Sequence, residues 1–202
     1  MIFAVIGAAV VGFTYESTYE RIKRNEQLVL LRKLNTILSP SEYDNSLLDD
    51  QIVLPEDTLL GTIEPSNAYL AYKNGSPVAI VLSPVAPNGY SGPIHMLVGI
   101  YHDGSVAGVR VVKHRETPGL GDAVESQRSD WILAFDDKSL DNPTSKSWKV
   151  KRDGGVFDQF TGATITPRAV VKAVHSALIY FQTHQKELFN VNQNGGGTTQ
   201  DS

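Results

Sequence analysis

The chain has no cysteine among its 202 residues. It therefore supplies no thiolate to an iron–sulfur cluster, no attachment point for a c-type haem and no disulfide. Any electron it carries must sit on another cofactor, because the remaining side chains offer no convenient redox couple. Histidine is sparse too: residues 95, 102, 114, 175 and 184 show no His-Glu-x-x-His spacing, so no metal site is expected. A Gly-x-Ser-x-Gly elbow is absent, which leaves a serine hydrolase without support. The formal net charge is −4, and no broad basic patch is available to neutralise phosphates. That balance argues against a nucleic-acid partner.

Long apolar runs are also scarce. Met1 to Phe13 is apolar and uncharged, yet shorter than the roughly 20 residues a helix needs to cross a bilayer. No basic region precedes it and no small-residue cleavage site follows, whereas a helical continuation runs through Tyr19 and Ile22. A membrane anchor over residues 1–22, cut short at its start, is expected rather than a signal peptide. Arg21, Lys23 and Arg24 fit a membrane boundary. Leu28, Leu30, Leu31, Leu34 and Leu38 then form a helical stripe up to Ser39-Pro40, read as a packing face.

Beyond that point the pattern predicts an α+β fold. Tyr69–Tyr72 and Val78–Leu82 flank Asn74-Gly75, and Ile94–Tyr101 and Val106–Val112 flank Asp103-Gly104. Both arrangements predict antiparallel hairpins. Trp131–Phe135 suggests a short helical or packed segment, and Trp148–Lys151 another strand. Val170, Val174, Ala177, Leu178 and Phe181 recur at helical spacing, with Thr166 as expected N-cap and Pro167 at the first helical position. A helix over about residues 167–188 follows. The division expected is anchor 1–22, linker helix and connection 23–60, one domain over 61–191, and a polar, Gly-rich, disordered tail over 192–202.

Chemistry concentrates just ahead of that last helix, in Asp158-Gln159-Phe160-Thr161-Gly162-Ala163-Thr164-Ile165-Thr166-Pro167. A hydroxyl at Thr164 follows two small residues, and an anion there would gain roughly 0.3–1 kcal/mol from the free N–H groups of the helix start. The plainer reading is that Thr161, Thr164 and Thr166 only turn and cap the chain, with Gly162 supplying a special backbone conformation. Two further segments bear on the choice. His114-Arg115-Glu116-Thr117-Pro118-Gly119-Leu120-Gly121-Asp122 follows a strand-like run and carries a Pro-Gly turn, and Gly89-Tyr90-Ser91-Gly92-Pro93-Ile94 precedes it.

The Asp-x-x-Thr-Gly-Ala-Thr pattern resembles the acceptor motif of proteins that carry FMN as a phosphoester on the last threonine. With the two other segments, in the same order, the chain resembles the G subunit of the Rnf (Rsx) ion-translocating electron-transport complex. The C subunit of the sodium-translocating NADH:quinone reductase is a relative with a similar motif. The resemblance implies covalent FMN on Thr164, installed from FAD by a flavin transferase that would recognise Asp158, Thr161, Gly162 and Ala163. It also implies that Glu116, Thr117, Gly119, Leu120 and Gly121 lie by the isoalloxazine, with the Gly89–Pro93 loop beside them. Arg168 or Lys172 would offset the phosphate charge or simply face solvent.

The implied role is a single-pass inner-membrane electron carrier, with membrane and peripheral subunits of an Rnf-type complex as partners and lipid around its N-terminal helix. The basic residues after the apolar run would by themselves place the domain in the cytoplasm, but the family places it in the periplasm. Ion transport belongs to the assembly and not to this chain as an independent catalyst. Two other readings are a free-standing flavin reductase, for which Glu116 and His114 are the only acid–base candidates, and a flavin-free extracytoplasmic scaffold or binding module.

Overall fold

A computed structural model describes the backbone of residues 2–190, with the side chains of Tyr15, Thr18, Tyr19 and residues 21–190. Most of the expected anchor's side chains and the expected 192–202 tail lie outside the described residues. Among the described residues no helix is long and apolar enough to cross a membrane.

Helix α1 (Ile2–Asn35) ends where the Leu stripe meets the domain. Six strands follow before the terminal helix: β1 (Gln51–Leu54), β2 (Ser66–Lys73), β3 (Ser76–Leu82), β4 (Val85–Ala86), β5 (Ile94–Tyr101) and β6 (Val106–Lys113), then α2 (Ile165–Asn190). Among the described residues they form one antiparallel sheet in the order β1-β2-β3-β5, with β4 and β6 also pairing with β5. Strands β3 and β4 run along the same edge of β5, interrupted at Ser83-Pro84, and the Pro84 carbonyl still accepts from Met96 N at 3.0 Å.

Both expected hairpins form. Asn74 and Gly75 each adopt positive φ, 51° and 74°, the conformation a two-residue turn needs to match strand twist. The Asp103-Gly104 turn closes through Tyr101 N to Ser105 O at 2.8 Å. Strand β1 and the two-residue β4 were not expected. Gln51–Leu54 lies within the segment read as connection, yet its alternating exposed and buried pattern pairs it with Asn67 and its neighbours in β2.

The sheet is covered on both faces, which is why β2, β3 and β5 carry continuous buried runs. One face holds Leu70, Ile80, Leu82, Met96 and Val98 against Val170, Val174, Leu178 and Phe181 of α2. The opposite face holds Tyr69, Ala79, Val81 and Leu97 against Leu34, Ile37, Leu38 and Leu47. Each fully buried leucine contributes roughly 1.5–3 kcal/mol, so the end of α1 is fixed to the domain chiefly by burial. Lys33 adds bonds from Nζ to the Val111 and Val112 carbonyls at 3.3 and 3.2 Å, and Arg110 reaches the Thr36 carbonyl at 2.7 Å.

Between β6 and α2 the chain runs through 3₁₀ turns at Gly121–Val124, Asp130–Phe135, Ser145–Ser147 and Lys151–Asp153. The segment expected to be helical or packed at Trp131–Phe135 is one of these. The strand expected at Trp148–Lys151 is not formed. Trp148 and Val150 point inward as a strand would require, but turns close on either side and only an isolated Val150–Phe157 bridge remains.

His175 packs over that region, stacked on Trp148 at 5.5 Å, with Nε2 2.8 Å from Ser145 Oγ. Burial lowers its pKa below the ordinary 6.5. The unfolded chain therefore takes up this proton at a higher pH than the folded protein does. The contribution to stability is complete above about pH 6.5, falls as pH drops through that value, and levels off below the folded pKa. Melting temperatures between about pH 8 and about pH 5 should show this decline, and His175→Gln should flatten it.

Candidate functional site

Helix α2 starts two residues earlier than its sequence suggests. Ile165 is the first helical residue, so Thr164 and not Thr166 stands at the N-cap position. Thr166 is fully buried in the first turn and donates its hydroxyl hydrogen bond to Glu116 Oε2. A capping role is thus replaced by a contact fifty residues away in sequence.

Glu116 is the hub of the arrangement. It is 4% exposed, and with Thr166 it makes up the buried polar side chains among the described residues. Its Oε1 accepts from Ser91 N at 2.9 Å, its Oε2 accepts from Thr166, and its own backbone N–H donates to His114 Nδ1 at 3.0 Å. His114 Nε2 in turn lies 2.7 Å from Glu125 Oε1. One carboxylate therefore joins the Gly89–Pro93 loop, the Glu116–Gly121 loop and the start of α2. No local sequence pattern announces such a tie, because its partners come from three separate segments.

The packing around this carboxylate leaves no space for a side chain at Gly121. A Cβ there would sit 2.8 Å from Glu116 Cβ, 2.9 Å from Oε2 and 3.1 Å from Thr166 Oγ1. Glu116 is held at both oxygens and cannot step aside cheaply. Gly121→Ala is expected to cost about 1–3 kcal/mol through overpacking, read as a lower denaturant midpoint with unchanged slope. A midpoint equal to wild type would show that the loop is free to move.

The remaining expected site residues gather on the surface above this hub. Thr117 turns the loop by accepting from Leu120 N at 3.1 Å and Gly121 N at 3.0 Å, and Gly119 takes φ 77°. Leu120 is left 44% exposed. Its Cδ2 lies 3.4 Å from where a Cβ on Gly162 would sit, so the loop touches the acceptor motif. Gly162 itself adopts φ 82°, a conformation other residues resist. Thr161 is exposed, and Ala163 and Thr164 are half-buried. Among the described residues nothing hydrogen-bonds to the Thr164 hydroxyl.

Asp158 sits at the far end of the motif. Its carbonyl accepts from Trp131 Nε1 at 2.7 Å, and its exposed carboxylate pairs with Lys151 at 2.7 Å. Trp131 also meets Phe160 edge-on at 5.0 Å, so this indole, not singled out from sequence for the site, supports the loop from below. Arg168 is engaged elsewhere, binding both oxygens of Asp153 at 2.6 Å. That pairing holds the Asp153 carboxyl below its usual range and raises the guanidinium. Lys172 lines a cleft with Trp148, Lys149 and His175.

These residues fit a phosphoester-linked flavin. A free hydroxyl stands at the N-terminus of a long helix, whose first N–H groups favour an anion. Three exposed apolar side chains, Tyr90, Leu120 and Ile165, each adjoin a residue packed on the Glu116 carboxylate, and such surfaces suit a flat aromatic ring.

The fold and this site define an FMN-binding domain: residues 89–179, which span all three segments, match the family of that description. Residues 1–37 match the RnfG N-terminal region. The chain is 46% identical over 189 residues to the G subunit of the ion-translocating oxidoreductase complex of Vibrio cholerae, covering 94% of this chain and 90% of that protein. The protein of the same name from Pseudomonas aeruginosa is 46% identical over 187 residues, 93% of this chain and 87% of its own length. That from Pseudoalteromonas atlantica is 43% identical over 189 residues, 94% and 88% of the two chains. This protein belongs to the family formed by the G subunits of ion-translocating oxidoreductase complexes.

Proposed function

We propose that this protein is an electron-transfer subunit of an ion-translocating complex and carries FMN as a phosphoester on Thr164. The observation that carries the proposal is the free, half-buried Thr164 hydroxyl at the start of α2, beside Leu120, within a matched FMN-binding domain. Bound FMN supplies one- and two-electron redox chemistry that the protein positions and tunes.

Attachment is a group transfer performed by a flavin transferase. Thr164 Oγ forms a bond to the FMN phosphorus of FAD, the pyrophosphate bond of FAD breaks, AMP leaves, and the hydroxyl proton passes to the transferase or solvent. Gly162 and Ala163 give the second enzyme close access, and Asp158 and Thr161, both exposed, are available for recognition. The Thr117–Gly121 turn and Leu120 then line the ring. Arg168, committed to Asp153, is a poor candidate for phosphate neutralisation, which leaves the helix N–H groups as the principal support.

The same reading makes residues 1–22 a single-pass anchor in a bacterial inner membrane with the flavin domain outside, and other subunits of the complex as partners. The apolar Met1–Phe13 run, the continuity of α1 and the match over residues 1–37 support it. A free-standing reductase is disfavoured by the site itself. Its acid–base candidates are occupied, with Glu116 buried between Ser91 and Thr166 and His114 held by Glu125.

Expression with and without a flavin transferase tests the proposal. Flavin fluorescence should migrate with the polypeptide through denaturing electrophoresis only when the transferase is present. Its absence in both cases would favour the scaffold reading. Turnover by the isolated domain with soluble donor and acceptor would favour an independent enzyme.

A further inference from the structure

We infer that Glu116 is a positioning residue for the flavin, acting through two bonds and one buried negative charge and not through contact with the ring. The inference rests on the flavin reading above and goes beyond it by separating what holds the site from what touches the cofactor.

The carboxylate is turned inward. Both oxygens are taken, one by Ser91 N at 2.9 Å and one by the Thr166 hydroxyl. Three exposed apolar side chains surround the hub at one remove: Tyr90 next to Ser91, Leu120 next to Gly121, and Ile165 next to Thr166. Glycine at positions 89 and 121 is what lets the backbone close on this carboxylate, since a Cβ at either would come within 2.9 Å of one of its oxygens. Thr166 lies two residues beyond Thr164 in the first turn of α2, so fixing Thr166 also fixes the direction in which the acceptor hydroxyl is presented.

The charge has a second consequence. Among the described residues no cation pairs with Glu116. Its partners are a neutral amide and a neutral hydroxyl, so its field is offset mainly by the start of α2. An unpaired carboxylate beneath the flavin loop makes each added electron less favourable in a medium less screened than water. Removing that charge while keeping the two bonds should move the midpoint potential to more positive values. Glutamine can do this, its carbonyl accepting from Ser91 and its amide donating to Thr166 Oγ1.

The test uses the full chain with flavin transferase and FAD in excess, following intact mass with time. Glu116→Ala and Thr166→Val should each slow flavin attachment by about tenfold or more, because each leaves a buried polar group without its partner and loosens the acceptor. Thr166→Ser, which restores the hydroxyl, should recover most of the rate. Glu116→Gln, which keeps both bonds, should attach flavin at close to the wild-type rate, and its flavinylated form should titrate at a more positive potential than wild type. If Glu116→Ala does not fold, as judged by its circular dichroism before flavin attachment, Thr166→Val decides the positioning role. A wild-type rate in folded Thr166→Val would mean that the transferase reads the linear motif alone and would overturn the positioning role. An unmoved potential in Glu116→Gln would overturn the electrostatic role. A wild-type chain that gains no FMN mass would overturn the flavin reading itself, and the inference with it.

Discussion

Thr164→Ala is expected to remove all covalently bound flavin, leaving a folded chain whose mass equals that of the bare polypeptide. The loss is complete because the substitution deletes the only atom able to form the ester at that position. Stability should change little. Thr164 is half-buried and its hydroxyl bonds to nothing among the described residues, so the substitution removes no side-chain cap bond. Thr164→Ser keeps a hydroxyl in place, primary where threonine's is secondary, and should still accept FMN. Loss of flavin together with an unchanged melting profile would separate attachment from folding. Persistence of the flavin in Thr164→Ala would move the ester to Thr161 or Thr166, and the burial of Thr166 makes the exposed Thr161 the more accessible of the two.

Phe135→Ala is expected to be the most damaging single core substitution near the site, costing about 3–5 kcal/mol. Phe135 is fully buried and stacks on Phe157 at 4.6 Å and on Trp148 at 6.1 Å, while Trp131 meets it edge-on at 5.4 Å. Deleting the ring opens a cavity bounded by three aromatic side chains that are themselves fixed by other contacts. Against a total stability of about 5–15 kcal/mol this is a large fraction, and for a chain of this size it corresponds to a fall in melting temperature of roughly 6–20 °C. The damage should also reach the acceptor loop. Trp131 holds the Asp158 carbonyl and packs on Phe160, so its displacement frees the start of the motif. Phe135→Leu, which retains most of the volume, should lose far less. Equal melting temperatures for Phe135→Ala and wild type would show that the cluster contributes little.

How far the sequence could be read depended on the range of the interaction that decides each element. The two hairpins were legible because Asn74-Gly75 and Asp103-Gly104 carry their turn geometry locally and the flanking runs alternate or stay apolar. Helix α2 was legible from its periodicity, but its start was displaced by two residues. Thr166 has the chemistry of a cap, and only the buried Glu116 carboxylate explains why its hydroxyl is used elsewhere. Strands β1 and β4 were missed because they are four and two residues long and depend on pairing with β2 and β5. Trp148–Lys151 has the alternation of a strand, yet a partner long enough to make a ladder is lacking among the described residues.

The site shows the same division. The structure brings Leu120 against Gly162 and joins the three segments that the resemblance set side by side. What could not be read was which groups face outward. The resemblance groups Glu116 with the residues lying by the isoalloxazine, and its carboxylate points into the protein. The local pattern marks Trp131 only as part of a packed segment, and it underpins the acceptor loop. Both roles depend on bonds to residues at least 25 positions away, which one sequence does not reveal.

The most direct measurement is peptide mapping of the full-length protein made in cells that contain a flavin transferase, with mass spectrometry locating the added group. The account predicts FMN on the peptide containing Thr161–Thr166, with fragment ions assigning the ester to Thr164. A bare peptide, or an ester on Thr161 or Thr166, would contradict it.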